Sequence, residues 1–93
     1  MIEQRECGRV AAEYAAELRA HGELNWWQGN VSDIGEKGVR LCTLGGPQLE
    51  PGTGVWLRIQ PKESHSKLVM RGSVVRCGAT AHPDFVEVAC QFA

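Results

Sequence analysis

The chain has 93 residues, of which 43% are hydrophobic and 23% charged, enough for one compact domain with a modest core and too few for two. Its formal net charge of −1 excludes the basic field that a non-specific nucleic-acid binder uses to displace counterions. It leaves room for a small anionic ligand, which needs only a few well-placed arginines.

From the N-terminus, Met1-Ile2-Glu3-Gln4-Arg5 leads into no apolar stretch, so no signal peptide is read there. No later run approaches membrane-spanning length, and a cytoplasmic location is expected, for this chain alone or for a longer one that contains it. Arg5-Glu6-Cys7-Gly8-Arg9 places two arginines four residues apart. They read either as a solvated tail paired with Glu3, Glu6 or Glu13, worth little, or as a grip on an anion. Val10 to Ala20 is ambiguous: its alanines and glutamates favour a helix, and Val10, Tyr14 and Leu18 are four apart, yet every second residue is also apolar. Propensity alone favours the helix.

Beyond this point turn signals recur at short intervals, at His21-Gly22, Gly45-Gly46-Pro47, Pro51-Gly52-Thr53-Gly54, Pro61 and His82-Pro83-Asp84. Strand-length stretches separate them, the cadence of an all-β sandwich or barrel. If Trp26 to Ser32 is a strand, Asn30 and Ser32 share one face while Val31 points into the core. Val39 to Leu44 is a short strand. Val55, Leu57 and Ile59 alternate inward. Leu68 to Cys77 is a strand whose alternation slips near Gly72, which suggests a bulge or a tight bend there. In the last strand Val86, Val88, Cys90 and Phe92 fall on one face, with Glu87 and Gln91 on the other. Trp26 and Trp56 fall outward, where a loop or terminal segment is the expected cover.

The four cysteines, Cys7, Cys42, Cys77 and Cys90, form no CxxC pair, and no histidine stands at a zinc spacing from them. A disulfide framework is not expected. Cys42, Cys77 and Cys90 read as small buried hydrophobes, and Cys7 as a spacer whose flanking arginines could make it reactive. His21, His65 and His82 have no nucleophile or carboxylate arrangement around them, and there is no phosphate loop or metal-ligand cluster, so nothing points to an enzyme or a cofactor.

Two motifs remain: RxxxR at Arg5 to Arg9, and [D/N]xSxxG at Asn30-Val31-Ser32-Asp33-Ile34-Gly35. In this order, followed by Gly38-Val39-Arg40-Leu41 and Gly72-Ser73-Val74-Val75-Arg76, they resemble the PilZ-domain family over essentially the whole chain. The resemblance implies an all-β fold, a six-stranded antiparallel split barrel over residues 11–93 with a flexible ligand-gripping loop at 1–10, the whole a single domain. It turns the ambiguous segment before His21 into a strand. It implies a receptor or adaptor for cyclic di-GMP, with Arg5, Arg9, Asn30, Ser32 and Gly35 as ligand contacts and Gly38 and Arg76 as secondary candidates. It implies coupling to a protein partner or neighbouring domain, without nucleic acid or membrane insertion.

The residue types suit that ligand. Arginine forks pair with phosphate or with guanine O6 and N7, and stack on purines; Asn30 offers both a carbonyl and an amide, and Ser32 a hydroxyl; Gly35 allows positive φ or close approach of a ligand. Glu36 and Lys37 separate Gly35 from the next strand, so either Gly35 or Gly38 fills the glycine role. Gln4 stands where an arginine is associated with a paired ligand, which favours one ligand per protomer. Arg40 reads as a surface charge. The alternative functions are a PilZ-like interaction module that no longer binds nucleotide, and a different small barrel for single-stranded nucleic acid or another ligand.

Overall fold

The structure is a computed structural model that describes residues 14–46, 48–61 and 65–93. Among the described residues there are six strands and no helix: β1 Tyr14–Ala20, β2 Trp27–Ile34, β3 Gly38–Leu44, β4 Gly54–Pro61, β5 Leu68–Ala79 and β6 Phe85–Phe92. All neighbours are antiparallel. They close into a barrel in the order β1-β2-β3-β6-β5-β4, with β4 returning to pair with β1. The all-β, six-stranded expectation holds.

β1 is where helix propensity gives way. Its seven residues pair with β4 from Tyr14↔Pro61 to Ala20↔Val55, while Ala15 to Leu18 also pair with β2. A helix here would leave two strand edges open in place of a closed ladder. The alternation of the segment is the one the barrel uses, with Ala16 and Leu18 buried inside. Tertiary pairing overrides a weak local preference.

The core is built from inward positions of all six strands. Leu18, Leu41, Leu57, Ile59, Val55 and Val88 are its largest fully buried side chains, each contributing about 1.5–3 kcal/mol by leaving water. The expected inward sets of β4 and β6 are found there, Val86 and Phe92 only partly buried. Cys90 is a buried free thiol, and half-buried Cys77 accepts the Leu49 N–H on its sulfur at 3.3 Å. Cys42 is buried too, but its sulfur is disulfide-bonded, which corrects its reading as a simple apolar filler.

The β3–β4 connection is the one that skips to a non-neighbouring strand, and backbone hydrogen bonds pin it to β5 and the β5–β6 turn. Gly45 N–H donates to Asp84 O at 2.9 Å, and Gly52 N–H to Val74 O at 2.7 Å. Gly45 and Gly52 both have positive φ, as their predicted turns require. The phase slip in β5 lies at Val75, between the pairs Val74↔Cys90 and Arg76↔Ala89, and not at Gly72. Gly72 is needed for another reason, since a Cβ there would stand 2.7 Å from the Gln91 carbonyl oxygen.

Candidate ligand-binding face

The second motif lies on β2 and the turn after it. Val31 pairs with core-facing Leu41, so Asn30, paired with Cys42, points to the outside of the barrel. The ladder then shifts. Val31 faces Leu41 and Asp33 faces Arg40, so Ser32 is one residue too many for its partner strand. A bulge sets two residues against one, and here Ser32 and Asp33 together oppose outward Arg40. Ile34, itself 39% exposed at the strand end, then meets buried Val39. The bulge therefore gathers Asn30, Ser32 and Asp33 at one stretch of outer surface, which plain alternation could not do.

These side chains differ in what holds them. The half-buried carboxamide of Asn30 makes no hydrogen bond among the described residues. The Ser32 hydroxyl donates to the Arg40 carbonyl oxygen at 3.2 Å. Arg40 stands between two carboxylates, Asp33 at 3.9 Å and Glu87 at 3.7 Å, and it is only 28% exposed. It is a clamp across β2, β3 and β6 and not the free surface charge that its position in the sequence suggests. Asp33 and Glu87 were not singled out by the motif reading. Their signal was available only in the register, which brings the ends of different strands together.

The two glycines separate cleanly. A Cβ on Gly38 would stand 2.3 Å from the Cys90 carbonyl oxygen, so β3 and β6 themselves require glycine there. A Cβ on Gly35 would meet nothing within 4 Å. Gly35 does not have positive φ, which corrects one of the two reasons expected for it. Its N–H donates to Gly38 O at 2.9 Å and closes the β2–β3 turn. A shallow hollow of about 180 Å³ runs from Asp33, Gly35 and Gly38 to Arg40 and Ala89.

Arg76 is exposed on β5. It pairs with Ala89, which pairs with Arg40, which pairs with Asp33. The four lie in one cross-strand row, with Arg76 three strand spacings, roughly 14 Å, from Asp33. Arg76 has no hydrogen bond or ion pair among the described residues. Arg5 and Arg9, with Gln4, Cys7 and the rest of the expected N-terminal loop, lie outside the described residues. Trp26 and Trp56 are half-buried on the far side of the barrel, and among the described residues Arg19 and Arg58 lie against Trp26 and Arg71 and His21 against Trp56.

Among the described residues no group of three or more His, Cys, Asp or Glu side chains could hold a metal ion. Among the described residues no helix is long and apolar enough to cross a membrane.

No curated protein matches the chain by sequence. The PilZ domain model matches it over residues 3–93, nearly its full length. Together with the six-stranded closed barrel and the bulged motif strand, that match means the chain belongs to the PilZ domain family, a family of binding domains known as receptors for cyclic di-GMP.

Proposed function

We propose that this chain is a cyclic di-GMP receptor domain whose ligand is held between Arg5 and Arg9 on one side and Asn30, Ser32 and Gly35 on the other. The observation that carries the reading is the bulge at Ser32. It presents Asn30 and Ser32 outward next to an open glycine, and the carboxamide of Asn30 has no internal partner. Such a group is available to a guanine edge at little cost, since no existing bond is broken.

Charge supports the division of labour. On the outer side of β2, β3 and β6 the one arginine, Arg40, is already bracketed by Asp33 and Glu87. A ligand with two phosphates therefore draws its cations from elsewhere, and Arg5, Arg9 and Arg76 are the residues assigned that role in this reading. Gly38 is taken up by packing against β6, which supports Gly35 for the ligand-side glycine role. Gln4 fits one ligand per protomer. The domain acts in the cytoplasm as an adaptor with no catalytic step, passing ligand binding to a protein partner or a neighbouring domain.

Isothermal titration calorimetry with cyclic di-GMP, using GTP as control, tests this. Saturable binding is expected, weakened about tenfold or more by Arg9→Ala, the loss of at least one charge-assisted hydrogen bond. No heat from a demonstrably folded protein would overturn the reading in favour of an interaction module without nucleotide.

A further inference from the structure

The opposite side of the barrel, β1, β4 and β5, carries a different set of side chains. Register places Arg19, Trp56 and Arg71 in one cross-strand row, and Glu17, Arg58 and Val69 in the next. Trp26 packs against both rows, with the Arg58 guanidinium 3.7 Å and the Arg19 guanidinium 5.1 Å from its ring centroid. Arg71 lies 5.4 Å from the ring centroid of Trp56. Glu17 is the only carboxylate in the two rows, and it pairs with Arg58 at 2.9 Å and with Lys67 at 3.7 Å. Among the described residues the two rows hold three arginines, Arg19, Arg58 and Arg71, against the one carboxylate of Glu17, which Lys67 also reaches, on a chain whose net charge is −1.

Two of the guanidiniums have no carboxylate among the described residues. Arg19 donates to the Glu23 carbonyl oxygen at 2.8 Å, and its Nε has no acceptor. Arg71 is exposed. Tryptophan and arginine are the side chains that most often dominate binding interfaces. Stacking fixes the plane of each fork in advance, so less freedom is lost when a carboxylate arrives. Val69, 58% exposed beside Arg58, adds an apolar contact.

We propose that this face docks an acidic segment of a partner protein, with carboxylates on Arg19 and Arg71 and an apolar side chain against Val69. Charge complementarity selects an anionic partner. Ring occupancy selects protein over single-stranded nucleic acid, which stacks its bases on open aromatic faces. Trp26 is occupied by two guanidiniums, and Trp56 by Arg71 and by His21 at 5.6 Å. The surface shares no residue with the nucleotide site proposed above, so either can fail without the other.

The test is amide and indole NMR shifts of the whole chain, titrated with a synthetic peptide of alternating glutamate and leucine. Shifts confined to β1, β4, β5 and the indole N–H of Trp26 and Trp56 are expected, with affinity falling about tenfold in Arg71→Glu and falling with added salt. Arg71 is exposed, so that variant keeps its fold; Arg58→Glu, beside Glu17, is the more disruptive second variant. No shifts at peptide concentrations on the order of 1 mM, or shifts unchanged in Arg71→Glu, would overturn the proposal. Tighter binding of an oligothymidylate of equal charge to the same face would overturn the choice of a protein partner.

Discussion

The two sides of the barrel hang on one core but treat their arginines in opposite ways. On the β2–β3–β6 side Arg40 is neutralised between Asp33 and Glu87, and the uncharged Asn30 is left without a partner. On the β1–β4–β5 side a single carboxylate, Glu17, serves both Arg58 and Lys67, and the remaining guanidiniums rest on tryptophan rings. An ion pair cancels a cation's field, whereas a π-face orients the cation and leaves its charge available. In the readings proposed above, the first side offers hydrogen-bonding groups and relies on other arginines for phosphates, whereas the second meets anions with its own.

Perturbations can collapse this contrast or isolate its halves. The largest effect should come from Leu57→Ala, which belongs to neither side. Losing a fully buried leucine should cost about 2–5 kcal/mol in urea unfolding and weaken both surfaces together. Gly38→Ala should come next, at about 1–3 kcal/mol, because the new methyl meets a backbone carbonyl that cannot swing away. Gly35→Ala should leave stability within about 0.5 kcal/mol while lowering cyclic di-GMP affinity. Equal unfolding midpoints for the two glycine variants would refute the separation of their roles.

A crossed pair tests the independence of the faces directly. Asn30→Ala should weaken cyclic di-GMP about tenfold with no change in stability. Arg58→Ala should lose up to about 1 kcal/mol of stability, through its ring contact and its half-exposed ion pair, and leave nucleotide affinity intact. If Arg58→Ala abolished nucleotide binding, the two sides would be one coupled system.

The smallest effect at neutral pH sits inside the barrel. Burial, and then the neighbouring Cys77, push the Cys90 thiol up to about 12. An unfolded thiol ionises near pH ~8.5, so the unfolded state sheds its proton first. The contribution of Cys90 is therefore fully present below that value and is lost as pH rises toward 12. Replacing it with alanine should flatten the alkaline arm of the stability curve, measured by chemical denaturation. An unchanged slope would show that the thiol is not shielded.

Much of this architecture is legible in the amino-acid sequence, and what is not has a physical reason. The inward sets of β4 and β6 follow from strict alternation, since a side chain's face in a strand is decided locally. β1 is not decided locally: Ala16 and Leu18 suit a helix as well as a strand, and only the open edges of β2 and β4 choose between them. The motif residues were visible as types at a spacing, and alternation already put Asn30 and Ser32 on one face, but the arrival of Asp33 beside them was not visible. Asn30, Ser32 and Asp33 come together because a residue was inserted, and an insertion shows only against the partner strand. The clamp around Arg40 and the arginines over Trp26 and Trp56 escaped for the same reason, being products of register across three strands.

The bulge has a consequence for how this surface can change over generations. Ser32 is surplus to the ladder: without it Val31 would still face Leu41, Asp33 would still face Arg40, and Ile34 would still meet Val39. Deleting an ordinary strand residue turns every later side chain inside out, but deleting Ser32 turns none. A library screened for folding alone should therefore tolerate both substitution and deletion at this position, and only a screen that includes the ligand should reject them.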